Sequence, residues 1–537
     1  MDNNALDSKM LNKIAYSHTP QDVKQLEKLG YKNYVEEQLN PDDTKETPFP
    51  PLAGFPTSTV LQRLSTLKIH IEYNDKGKKV NEARPVLHLN KSQTDLWREL
   101  YKDNISFREK IQPAVEVAAA TWVRAVYSRW QVREIMVLFW HNHFNVNVGK
   151  DERIGLTFPA YDRDVIRRHA LGNFRAFLED VAKSPAMQYY LNNVSSQASP
   201  ANENFARELF ELHTLGREAY MNNLYNRWRE VPGATEGKPT GYIDEDVYEA
   251  ARAFTGWTIA DGTDNGKGST FPNTGAAHYY EGWHDNYQKR VLGVEIAPNQ
   301  PPLADGKQVL DLVAFHPATA RHVCKKLCQR FISDAPTEGV IQKAVDVFIK
   351  NQKAPDQLKQ VVRTILLSDE CQNSVGQKTK TPFELVASFL RTTEADFTPS
   401  DDFSWLMNQT GYTLFEWQTP TGHPDKATYW LNPNMMLNRW NIINVLTSDW
   451  QKNIKWDVAK IVPNAPTLNV VQIADFLIKK MLDTEGPLCV KLRNTVANFI
   501  ADGASVEEPF LYDVKSLHDK IIKAVALIGM SPEFQVR

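Results

Sequence analysis

The sequence is poor in most of the features that announce a function. It has four cysteines in 537 residues, and no paired CxxC arrangement marks structural zinc. Cys324 and Cys328 stand four apart in HVCKKLCQRF, on one helix face with Ala320, Leu327 and Phe331. That spacing predicts buried free thiols, and adjacent-turn helix positions hold their Cβ atoms poorly for a disulfide. No apolar run approaches the ~18 residues of a membrane span. The opening MDNNALDSKMLNKIAYSHTP lacks the apolar stretch and small-residue cleavage site of a signal peptide. The expectation on this ground is a cytoplasmic protein, or an exported one whose signal lies outside this sequence. Charge of one sign is also missing. With 62 basic and 65 acidic residues the net charge is −3, so no basic excess points to nucleic acid. There is no GxSxG, Walker loop, HExxH, dinucleotide GxGxxG or EF-hand loop.

What is present is helical periodicity. LDSKMLNKIAY and TPQDVKQLEKLGYKNYVEEQL carry apolar residues at three- and four-residue spacing, with Thr19-Pro20 as a cap and first-turn proline. A long helix is expected from about Ile111 to Trp140. Others are expected over Asp162–Lys183, Ala201–Leu215, Glu245–Trp257, Pro317–Ile332 and through the C-terminal third. The fold class is mainly α, a multi-helical globular architecture with a short β-strand or hairpin and long aromatic-rich loops. The domain expectation is one helical domain over 1–537, in two lobes at about 1–200 and 201–537. Residues 40–59 read as a Pro-rich link. Residues 258–306 and 398–434 read as long functional loops, too rich in aromatics to be idle.

Four stretches carry candidate chemistry. HNHFNVNVG (141–149) alternates polar and apolar residues, which predicts a strand with His141, His143, Asn145 and Asn147 on one face. A His-x-His pair there binds a metal or moves a proton; the plain alternative is a solvated strand face. NENFARELFELHTLG (202–216) places Phe205, Ala206, Leu209 and Leu212 on a buried stripe, with Glu203, Arg207 and Glu211 opposite and Glu208 on a flank. The plain alternative is an ion ladder. The chemical reading is a carboxylate pair, one raised in pKa by burial and the other held ionised by arginine. This helix contains no lysine, and arginine is the cation suited to fixed carboxylate geometry, so its polar face is expected to be partly buried. In AHYYEGWHDNYQKRVLG (277–293), His284-Asp285 sits among Tyr279, Tyr280, Trp283 and Tyr287. His316-Pro317 reads as a helix cap.

Taken in order, MLNKIAYSHTPQDVKQLEKLGYKNYVEEQLNP, MVLFWHNHFNV, NENFARELFELHTLG, DEDVYEAARAFTGWTI, HDNYQKRVLG, FHPATARHVCKKLCQRFISDAP and KTPFELVASFLR resemble a large bacterial family catalogued as domain of unknown function 1800. The resemblance runs from about residue 10 to the C-terminus. Ser17-His18 departs from the glycine-containing turn of that family, and residues 220–241 are longer than its usual link. The resemblance implies no agreed reaction. It implies export for many members, and it sets the candidate positions inside signature blocks.

The leading expectation is a hydrolase acting on a glycan or similar polymer. Its catalytic candidates are Glu208, Glu211, Arg207, His143 and Asp285, and its substrate-binding candidates are Trp140, Asn202, Trp283 and His284. Carboxylates in an aromatic-lined groove suit sugar hydrolysis. One alternative is a metal-dependent enzyme, a divalent metal being held by His141 and His143 with a carboxylate. The other is a non-catalytic glycan-binding or scaffold protein. His143, Glu208 and Asp285 are expected in one cleft.

Overall fold

The computed structural model describes residues 3–45, 60–75, 77–448, 450–482, 487–506 and 514–537. The chain is mainly helical, and its β-structure consists of two-stranded antiparallel sheets. The helices begin where the local chemistry says they should. Thr19 caps Pro20–Leu29 in a capping box with Asp22, and Thr381 does the same with Glu384 for Pro382–Thr392, each pairing two otherwise orphaned N–H groups. His316 caps Pro317–Phe331, its Nδ1 accepting from the Ala318 N–H at 3.0 Å. One apolar cluster runs from Met10 to Phe534. Cys324 and Cys328 are buried within it and free, as is Cys371. Among the described residues no helix is long and apolar enough to cross a membrane.

Several expected boundaries move. The helix expected over 111–140 is two helices, Gln112–Tyr127 and Gln131–His143. The break is held by the Gln131 amide, which accepts from the Tyr16 N–H at 2.9 Å and donates to the Ser128 carbonyl at 2.7 Å. The expected strand at 141–149 does not form. His141 and His143 belong to the last turn of Gln131–His143, whose buried face encloses nearly every position; the alternation after His143 is only the chain leaving the helix. The 162–183 helix divides into a wide π-turn, Tyr161–Arg167, and a regular helix, Phe174–Lys183. The 258–306 loop contains two hairpins, Trp257–Asp261 with Asn273–Tyr279 and Lys289–Val291 with Val294–Ile296. The 398–434 stretch contains the helices Asp401–Gln409 and Ala427–Trp430. Of the Pro-rich link at 40–59, residues 46–59 lie outside the described residues.

Candidate functional site

The helix Asn204–Glu208 widens at its end into a π-turn, Leu209–His213. The chain then leaves at Thr214 (φ −130°, ψ −97°). Wide turns of this kind recur at functional sites, and the end of any helix leaves carbonyls without backbone partners. Here two imidazoles take them. His322 Nε2 lies 3.1 Å from the Leu212 carbonyl, and His143 Nε2 lies 3.0 Å from the His213 carbonyl. A carbonyl only accepts, so each Nε2 carries the proton and each Nδ1 is bare. Gly216 makes the approach of His322 feasible. Its φ is +84°, and a Cβ there would lie 2.5 Å from His322 Nδ1.

The bare Nδ1 of His143 is 2.9 Å from Nζ of Lys326. Lys326 stands one turn after His322 on Pro317–Phe331. Among the described residues no carboxylate lies within ion-pair distance of its amine. Burial is the first cause of every shift in this cluster. It lowers Lys326 to about 8. It also lowers His322 to about 4 and His213 to about 3, and it pushes His143 well down, the Lys326 charge adding in each case. The three rings are therefore neutral at neutral pH. The His213 ring is fully buried, and among the described residues neither of its nitrogens has a hydrogen-bond partner.

His143 and Lys326 line a cavity of about 340 Å³, together with Asn142, Arg330, Tyr412, His423 and Asp425. The 398–434 stretch supplies the far wall. Gly422 lies against the end of the His143 helix so closely that a Cβ would meet the Asn142 carbonyl at 2.1 Å. The His423 N–H donates to Asn142 Oδ1 at 3.1 Å, and its ring stacks on Tyr412 at 3.8 Å. Burial lowers His423 to about 4. Arg330 is held from behind by Glu384 at 2.7 Å. His322 lines a second, larger and mostly apolar cavity of about 1060 Å³ on the other side, with Phe315, His316 and Ile349.

The expected site residues fall into three groups. His143 is in the cavity wall; neither Glu208 nor Asp285 is. Arg207, Glu208 and Glu211 form a separate, half-buried face. Arg207 is 3.0 Å from Glu203 within its own helix and 3.5 Å from Asp244 outside it. Glu211 pairs with Arg217. The Glu208 carboxyl is raised by burial and then by the charge of Glu211. The remaining candidates are pinned elsewhere. Asp285 is gripped by Arg252 at 2.8 and 3.1 Å. His284 contacts the Thr255 carbonyl at 2.9 Å and Asp305 at 3.3 Å. Trp283 donates to the Asn265 carbonyl, and Asn202 accepts from the Asn204 N–H, both at 3.0 Å. Trp140 offers no stacking face: it is fully buried among Phe144, Phe174 and Phe177 and donates to the Ala170 carbonyl. His141 faces away from His143. It is 2.9 Å from Asp162, which Arg167 also holds at 3.1 Å. Among the described residues no three His, Cys, Asp or Glu side chains are placed to share a metal ion.

The residues missed from sequence are Lys326, His322, Arg330, Tyr412 and His423. A signal was there. His322, Lys326 and Arg330 recur every four residues opposite the apolar stripe of HPATARHVCKKLCQRF, a polar seam on a helix whose other side is core.

A family model described as "Protein of unknown function (DUF1800)" matches residues 9–536. The chain belongs to the DUF1800 family. The match confirms the resemblance drawn from the sequence blocks. No curated protein and no solved structure matches the chain.

Proposed function

We propose that the protein is an enzyme whose nucleophile is the Lys326 amine, acting on a small carbonyl compound that carries an anionic group. The observation behind this reading is the 2.9 Å contact between Lys326 Nζ and His143 Nδ1, in a cavity wall where, among the described residues, no carboxylate comes within ion-pair distance of that amine, although Asp425 of the same wall acts on it through space. A nucleophile, a base and a group that orients the base are the recurring parts of covalent catalysis. Here they are the lysine amine, the His143 ring and the His213 carbonyl. The neutral amine attacks the carbonyl carbon and a C–N bond forms. The nitrogen gives up its two protons in turn, His143 Nδ1 passes each to the former carbonyl oxygen, the C–O bond breaks as that oxygen leaves as water, and an imine remains. A desolvated lysine suits this chemistry because less of it is protonated at neutral pH. The cavity volume matches the low end of small-ligand sites, and Lys326, Arg330 and Lys426 outnumber Asp425 in its lining, a balance that favours an anion. Reduction with borohydride in the presence of glyoxylate or pyruvate, followed by peptide mapping, tests the reading. A reduced adduct is expected on Lys326, absent in Lys326→Arg and diminished in His143→Gln. Adducts on surface lysines only would rule it out.

A second reading, a glycan hydrolase, is favoured by the Glu208–Glu211 face. A carboxyl raised by burial beside one paired to arginine is the arrangement that divides acid and base roles. Release of reducing ends from a polysaccharide panel, lost in Glu208→Gln at unchanged melting temperature, is the expected result. The metal-dependent alternative draws no comparable support, since His141 and His143 turn to different partners.

A further inference from the structure

A third concavity, of about 550 Å³, lies between the helices Asp401–Gln409 and Pro433–Leu446, with Trp450 and Gln451 on its edge. Two tryptophans line it and stand unusually far out of the fold: Trp405 is 64% exposed and Trp450 is 84% exposed. Neither indole packs on another ring, and neither indole N–H has a partner among the described residues. Between them the lining presents four primary amides, those of Gln409, Asn438, Asn441 and Gln451. None of the four is engaged by a described residue through its side chain. Among the described residues, Asp402 is the one charged residue of the lining.

This is an unusual surface. Two exposed indoles lining one concavity form an apolar patch rimmed by polar groups, the kind of surface that marks an interaction site. A core-like protein interface would surround them with apolar side chains and few amides. A nucleic-acid surface would bring lysine and arginine. Flat apolar rings flanking uncharged groups that both donate and accept match a ligand with apolar C–H faces and rows of hydroxyls. We infer that the Trp405–Trp450 groove is a binding site for a neutral oligosaccharide, in which the two indoles stack on sugar rings and the amides of Gln409, Asn438, Asn441 and Gln451 bond to their hydroxyls. The site is separate from the Lys326 cavity and from the Glu208 face, and binding there requires neither to be catalytic.

The test uses the full chain and soluble cello-, chito- and manno-pentaose, with intrinsic tryptophan fluorescence and calorimetry as readouts. At least one of the three is expected to bind and to shift the fluorescence. Trp405→Ala and Trp450→Ala are each expected to weaken that binding tenfold or more, and the double variant to abolish it, at unchanged melting temperature. Lys326→Met is expected to bind as the parent does, which separates this site from the cavity. Three results would overturn the inference: no binding by any of the three sugars, affinity unchanged in the double variant, or a dimer in solution that the double variant dissociates. The last would mean that a second copy of the chain covers the indoles.

Discussion

His141 and His143 sit two residues apart on one helix and lead opposite lives. His141 faces Asp162, which Arg167 joins to Glu134 in a mostly buried network that Arg124 and Arg133 also border. Asp162, Arg167 and Glu134 each have an opposite at 2.7 to 3.1 Å. His143 faces a lysine and two further imidazoles, with no carboxylate partner among the described residues. The first arrangement is what burial demands of charge when stability is the only concern. The second gives up that pairing beside a cavity. Perturbed groups with no compensating partner, next to space for a ligand, mark a reaction site better than perturbed groups alone.

The largest test of the contrast is to break the network around Asp162. Arg167→Met leaves Asp162 and Glu134 buried without their shared cation. A loss of ~3–5 kcal/mol is expected by chemical denaturation. A loss below ~1 kcal/mol would mean that the network carries less than its geometry implies.

The next test is pH. His213 and His322 have folded pKa values lowered to about 3 and about 4, against ~6.5 unfolded. Between these values the unfolded chain binds protons that the folded chain refuses, so stability falls as pH drops below ~6.5. Each histidine contributes a slope of about 1.4 kcal/mol per pH unit. Lys326 acts in a second window. It is lowered to about 8 in the fold, so stability rises as pH climbs from about 8 toward the ordinary lysine value of 10.5. Melting temperature against pH in His213→Gln should lose part of the acid limb, and in Lys326→Met the alkaline rise.

A smaller effect is expected from Lys326→Met at neutral pH. Removing a desolvated cation that has no ion-paired acid among the described residues, only the more distant charge of Asp425, should leave stability within ~1 kcal/mol of the parent, or raise it. A clear loss in thermal unfolding would move Lys326 to the structural side of the contrast. The smallest belongs to the exposed rim. Glu211→Gln breaks the pair with Arg217, whose side chain is mostly in water, and should cost ~0.2–1 kcal/mol in the same assay.

The sequence made visible what depends on neighbours in the chain. The Thr19 and His316 caps, the buried Cys324–Cys328 face and the half-buried Arg207 helix all rest on spacings of two to four residues. It concealed what depends on distance. Lys326 meets His143 across 183 residues, and Arg252 meets Asp285 across 33, so no periodicity couples them. The alternation in HNHFNVNVG misled for a related reason. Helical and extended readings differ only by what covers the chain, and the packing around His143 is assembled from Phe139, Phe144 and His213.

The π-turn Leu209–His213 has a consequence for communication. Its last two carbonyls hold His322 and His143, and those two rings stand in the walls of different cavities. A turn that tightened by one residue would withdraw both anchors together. The larger, apolar chamber and the smaller, polar one therefore hang from a common piece of main chain, and a molecule that displaced His322 in the first would be felt at the base of the second.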